Sequence, residues 1–182
     1  LAVQLVRMQG LAVLSLGLGI GATATVFTWL QGFVFDPLPA IPRADRLVVA
    51  HTLSPDKDTW TVSWPDFQDW RAGTGTARLA AWEMTQLGLR EGNGATERAW
   101  GMLVSGNYFE DLLVGASLGR VLSMDDERNR APVVVLGHGY WQRRFASDPT
   151  VVGRNITLNG AAFTVVGVAA PRFGGTYIGL SL

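Results

Sequence analysis

Few of the 182 residues have side chains whose type and spacing could do chemistry. His51 and His138 are the only histidines. Either could act as a base or metal ligand, but neither has a second histidine at a ligand spacing, and His138 reads as part of a turn between Gly137 and Gly139. Asp66 and Asp69 could form an acid–base pair. The competing reading places Asp66 at the positive end of a helix and lets Asp69 pair with Arg71 or water. Asp125, Asp126 and Glu127 could attract a cation, yet they lack the alternating ligands and central glycine of a calcium loop, so they read as a solvated helix start. The single lysine, Lys57, follows Ser54-Pro-Asp56, which excludes a Walker A phosphate loop. The glycines of Gly17-Leu-Gly-Ile-Gly21 lie inside an apolar run rather than between a strand and a helix, which excludes a dinucleotide site. There is no cysteine, hence no disulfide, thiolate nucleophile or Cys-ligated zinc. No nucleophile, base and orienting group combine, so no catalytic residue, cofactor or metal is expected and the chain reads as a non-enzyme.

Composition narrows the partners. Lys plus Arg and Asp plus Glu are 15 each, so no net charge draws the chain to nucleic acid, which is excluded as a partner. Hydrophobic content of 48% allows a sizeable core. Of the seven tryptophans, Trp64, Trp70 and Trp141 sit beside apolar periodic positions and read as core, whereas the pattern does not place Trp60, Trp82 and Trp100.

The elements that must position these residues begin with an apolar run. No charge occurs between Arg7 and Asp36, which is long enough for a helix across a bilayer, with Trp29 and Phe33 suited to its interface and Pro37 and Pro39 as stops. Gly17, Gly21, Thr25 and Thr28, continued by Gly32, form a strip of small residues on which a second helix could pack closely; the bland alternative is that glycine is common in such helices. The rival to an anchor is a signal peptide cleaved at Ala22-Thr-Ala24, disfavoured because the apolar pattern continues through Phe33. Arg7 on one side and Arg43 and Arg46 on the other leave the orientation open. The start at Leu1 and the end at Ser181-Leu182 read as those of a fragment.

After a linker, Arg46–His51 is a strand candidate. Ser63-Trp-Pro-Asp66 signals a helix start, with Ser63 as cap and Pro65 in the first turn. Leu79–Leu89 and Ala99–Val104 flank a turn at Glu91–Gly94 as adjacent strands. A short helix follows Ser105-Gly-Asn107 and runs to Leu113. A second unit begins near Gly115, with a helix cap at Ser123, a strand over Pro132–Leu136 and a helix over Tyr140–Phe145. Asn159-Gly160 between alternating apolar runs within Asn155–Val168 is the turn signal of a type I′ hairpin. The fold class expected is α+β: a transmembrane helix at 1–36, then a two-lobed extracytoplasmic domain with lobes at 37–114 and 115–182.

Seven segments in order resemble permease subunits of MacB-like ABC transporters. They are Leu16-Gly-Leu-Gly-Ile-Gly-Ala22, Asp36-Pro-Leu-Pro39, Ser63-Trp-Pro-Asp-Phe-Gln-Asp-Trp-Arg71, Val104-Ser-Gly-Asn-Tyr-Phe109, Gly115-Ala-Ser-Leu-Gly-Arg120, Val135-Leu-Gly-His-Gly-Tyr-Trp-Gln-Arg-Arg-Phe145 and Val152-Gly-Arg-Asn-Ile-Thr-Leu-Asn-Gly160. The sequence departs from the pattern at Gly137, where serine is frequent. The resemblance implies a first membrane helix in a bacterial inner membrane, a periplasmic domain with a porter-like lobe and a small α/β lobe, and three further helices beyond this sequence. It also implies an ABC-type ATPase subunit as partner, pairing of permeases as homo- or heterodimers, and a domain that couples cytoplasmic ATP hydrolysis to export or mechanotransmission without catalysis of its own. The alternative is a membrane-anchored or secreted binding module with no transport role.

Overall fold

A computed structural model describes residues 2–30, 38, 40–50, 52, 61–75, 77–92 and 94–176; within the first helix it describes the side chains of 10, 13–28 and 30. The chain divides into two units, Leu1–Pro37 and Leu38–Leu182.

The first unit holds helix α1, Ala2–Leu30. Its described side chains are exposed, Leu14 and Leu18 among them. Among the described residues, no helix is long and apolar enough to cross a membrane. The Trp29 side chain, Gly32, Phe33, Pro37 and Pro39 lie outside the described residues.

The second unit is built on a six-stranded sheet. In chain order its elements are α2 (Trp64–Gly73), β1 (Trp82–Arg90), β2 (Glu97–Val104), α3 (Tyr108–Asp111), β3 (Ala116–Gly119), α4 (Met124–Arg128), β4 (Val133–Leu136), α5 (His138–Phe145), β5 (Asn155–Leu158) and β6 (Ala161–Ala169). The strand order is β2-β1-β5-β6-β3, with β4 paired to β6 in parallel. Strands from both sides of Gly115 thus share one sheet. β1 and β2 pair antiparallel from Trp82↔Val104 to Leu89↔Glu97, whereas β1 meets β5 only at Leu89↔Leu158 and Arg90↔Thr157. The expected hairpin is present: β5 and β6 close at Leu158↔Ala161 around Asn159 and Gly160, both at positive φ as a type I′ turn requires.

Because side chains alternate across a strand, the sheet builds two cores. Val134 and Leu136 face one side with Leu89, Val151, Ile156, Val165 and Phe145 of α5, while Val135 faces the other with Ile41, Tyr108, Phe109, Leu112, Val114 and Phe173. Val151, Val165 and Val168 are fully buried, and each such side chain contributes roughly 1.5–3 kcal/mol. Among the described residues β2 is an outer strand, with Trp100 and Leu103 exposed on its opposite faces.

Two expectations are corrected. Residues 46–50 are not in a strand: a 3-10 turn covers Ala44–Arg46, and Leu47–Ala50 has no ladder partner among the described residues, with Val48 92% exposed. Strand-forming side chains do not make a strand without a neighbouring edge to bond. His51 lies outside the described residues. His138 does not sit in a turn; it is the first residue of α5, because Gly137 adopts an extended N-cap conformation (φ −64°, ψ 140°) and starts the helix two residues before Tyr140.

A candidate functional site at the Ser105–Asn107 joint

Three consecutive residues after β2 tie separate parts of the second unit together. Ser105 clamps the segment before β1: its amide donates to Ala81 O (2.9 Å) and its hydroxyl accepts from Ala81 N (3.0 Å). The Gly106 amide donates to Glu127 Oε2 of α4 (2.7 Å). Asn107 Nδ2 donates to Leu79 O (2.7 Å) and to Asp111 Oδ2 (2.6 Å), and Asp111 is ion-paired in turn with Arg78. Ser105 and Asn107 are buried, so these bonds replace water that the groups would otherwise lack. Among the described residues, Asn107 Oδ1 is a buried oxygen without a hydrogen-bond partner.

Glu127 is the hub. Arg71, from the last turn of α2, grips it through both guanidinium nitrogens, at 2.8 Å to Oε1 and 3.4 Å to Oε2, across 56 residues of sequence. Burial alone would raise the Glu127 pKa, but Arg71 and the Gly106 amide outweigh it and hold the carboxyl below its ordinary value. The position of Glu127 is set from two sides. Ser123 caps α4 in a reciprocal box with Asp126, and Arg120 holds Asp126 (2.6 and 2.8 Å). On the other side, α4 lies so close to Gly106 that a Cβ there would fall 2.6 Å from Ser123 O and 2.9 Å from Met124 Cα. Only glycine allows that approach.

The sequence-stated candidates sort accordingly. Of the acidic trio, Asp125 is solvated as expected, with its side chain 78% exposed, but Asp126 and Glu127 are committed to Arg120 and Arg71. Asp66 does serve α2: its amide donates to the Ser63 hydroxyl (3.3 Å), which itself donates to Asp66 Oδ2 (2.6 Å). Arg71 reaches Glu127 and not Asp69. Trp64 and Trp70, expected in the core, are 45% and 38% exposed, because Phe67 takes the buried position on α2. Local spacing could not identify Glu127 and Gly106 as partners, since 21 residues separate them.

A second polar group gathers where α5 crosses the β1–β2 hairpin. Tyr140 Oη and Arg144 Nε both donate to Glu97 Oε1 at 2.9 Å. These bonds, Arg144 first, lower the Glu97 pKa, while burial and then Glu97 push the Tyr140 phenol up to about 12. A neighbouring cavity of about 450 Å³ is lined by Gln86, Leu87, Gly88, Thr96, Glu97 and Arg98. Glu97 is spent on α5, which leaves the cavity without an available acid or base on that side.

In α1, Thr25 Oγ1 donates to Gly21 O and Thr28 Oγ1 to Ala24 O, both at 2.8 Å. These back-bonds satisfy the hydroxyls within the helix. A Cβ built on Gly17 or Gly21 would meet nothing within 4 Å.

The sequence matches the MacB-like periplasmic core domain family over residues 10–181. No curated protein matches it. Among solved structures, the periplasmic region of MacB from Actinobacillus actinomycetemcomitans is similar at a TM-score of 0.53 and 20% identity, covering 68% of this chain and 58% of that one. The extracellular domain of the noncanonic ABC-type transporter YknZ from Gram-positive bacteria is similar at 0.53 and 14%, covering 66% and 59%. At these identities the likeness establishes the fold, and the chain spans under three-fifths of each solved domain. With the mixed α+β fold and a family match over nearly its whole length, the chain belongs to the MacB-like periplasmic core domain family.

Proposed function

We propose that this chain is part of the permease subunit of a MacB-like ABC transporter, in which an extracytoplasmic domain couples ATP hydrolysis on a separate ATPase subunit to export or mechanotransmission. The observation that carries the reading is the joint. It links the segments 63–71 and 104–109 through Arg71, Glu127 and Gly106, so a displacement of α2 is felt at β2 and α4. Such a module needs mechanical links between its segments rather than a reacting group.

The remaining parts of the proposal follow the same reading. Residues 1–36 form the anchor in a bacterial inner membrane with the domain outside. Gly17, Gly21, Thr25 and Thr28 offer a second helix a surface of small groups, since the hydroxyls of Thr25 and Thr28 are already bonded. Permeases pair as homo- or heterodimers, and the chain has no enzymatic role. The lobes are 37–114 and 115–182, and the two-pair ladder between β1 and β5 supports a boundary between them.

Expression in a bacterium, followed by alkaline extraction of membranes and mass determination of the chain, tests this. An intact N-terminus in the alkali-resistant pellet is the expected result. A soluble chain beginning near Thr25 would remove the anchor and the transporter reading together, and would favour a secreted binding module.

A further inference from the structure

α2 is held to the second unit by few contacts. Of its ten residues only Phe67 is buried, and Trp64 and Trp70 are half-exposed. The polar attachment is Arg71, whose guanidinium lies over the Phe67 ring (5.1 Å to the centroid) and reaches Glu127. The receiving side is the opposite case. Glu127 is fixed by the Gly106 amide and by a helix capped at both Ser123 and Asp126, so it stays in place whether or not Arg71 is there.

We infer that Arg71 and Glu127 form a releasable latch, and that breaking it lets α2 swing off the second unit while the sheet and α4 stay folded. The inference deepens the coupling role of the joint and rests on that role only for the use made of the motion. The motion itself follows from unequal attachment. An element that buries one side chain opens at lower free energy than strands that bury many. Once undocked, a ten-residue helix is too short to remain helical in water, so its amides exchange.

Hydrogen exchange by mass spectrometry on the whole chain in detergent micelles tests the latch. Glu127→Gln keeps an oxygen for the Gly106 amide and removes only the charge that holds Arg71. Arg71→Gln, a change on the arm, leaves the receiving side untouched. Each is expected to speed exchange in peptides covering 64–74 by about tenfold, the weight of a charged hydrogen-bonded pair, with peptides of β1 and β6 unchanged. Combining the two is expected to add little beyond either alone. Equal acceleration in β1 and β6 would make Glu127 a general stability residue and overturn the proposal. Unchanged exchange in 64–74 would overturn it as well, and neither result bears on whether the N-terminus stays in the membrane.

Discussion

Replacing Gly106 with alanine puts the joint under a defined load. The added methyl would lie 2.6 Å from Ser123 O, 2.9 Å from Met124 Cα and 3.0 Å from Glu127 Cβ, two of them backbone atoms that cannot rotate aside. α4 must therefore retreat by several tenths of an ångström or more, and the 2.7 Å bond from the Gly106 amide to Glu127 lengthens with it. Overpacking of this kind costs about 1–3 kcal/mol, and loss of a hydrogen bond to a charged group adds about 1.5–3 kcal/mol. Reduced freedom of the unfolded chain returns about 0.4–1 kcal/mol. The net expectation is a loss of about 3 kcal/mol, which at a urea dependence of about 2 kcal/mol per molar lowers the midpoint by about 1.5 M. Urea titration in detergent, followed by tryptophan fluorescence, reads this directly. A loss below about 1 kcal/mol with the Glu127 bond retained would refute the claim that α4 needs glycine at this point.

The contact between β1 and the hairpin makes a second case: Gly88 N donates to Asn159 Oδ1 (2.7 Å) while Asn159 N donates to Gly88 O. Asn159→Gly keeps the turn but loses the first bond, costing about 1 kcal/mol, and Asn159→Ala adds the strain of positive φ for roughly another 1 kcal/mol; equal costs in urea titration would show that the bond alone, not the turn conformation, matters. The Arg120 guanidinium, opposed by burial and helped by Ser123, holds the Asp126 carboxyl at about 2, from an ordinary 3.8. A depressed carboxylate stabilises above the ordinary value and stops doing so as pH falls through about 2. The shift bounds the effect at about 2 kcal/mol, and the half-exposed Arg120 reduces it to about 1 kcal/mol. Asp126→Asn should therefore differ from wild type at pH 7 and converge with it near pH 2, and a constant difference would contradict this. Leu113 stands at φ 57° and is 54% exposed, so Leu113→Gly should raise stability by about 0.5–1 kcal/mol in thermal unfolding.

Signals carried by a few adjacent residues were legible in the sequence. Asn159-Gly160 specifies its own turn, and Ser63 and Ser123 cap the helices they precede, because each of these interactions closes within three residues. Where an outcome depends on distant chain, the sequence was mute. Leu47–Ala50 has the side chains of a strand and, among the described residues, no edge to join. Glu127 looks like its neighbour Asp125 until the fold brings Arg71 across 56 positions and Gly106 across 21. Trp64 and Trp70 follow an apolar period, but Phe67 fills the space that α2 covers. The same limit hid the joint itself: Ser105-Gly-Asn107 reads as a linker before a helix, and its bonding partners are Leu79 and Ala81 before β1, Glu127 on α4 and Asp111 on α3.

The outer strand β2 has a consequence for handling the molecule. From Ala99 to Val104 it carries no charge, proline or bulge, and it exposes Trp100 on one face and Leu103 on the other. Natural sheets blunt such edges with lysine, proline or a kink, because unpaired amides and carbonyls flanked by apolar side chains template the growth of further strands. Among the described residues this edge is therefore the expected point of self-association in concentrated solution, ahead of any melting of the two cores.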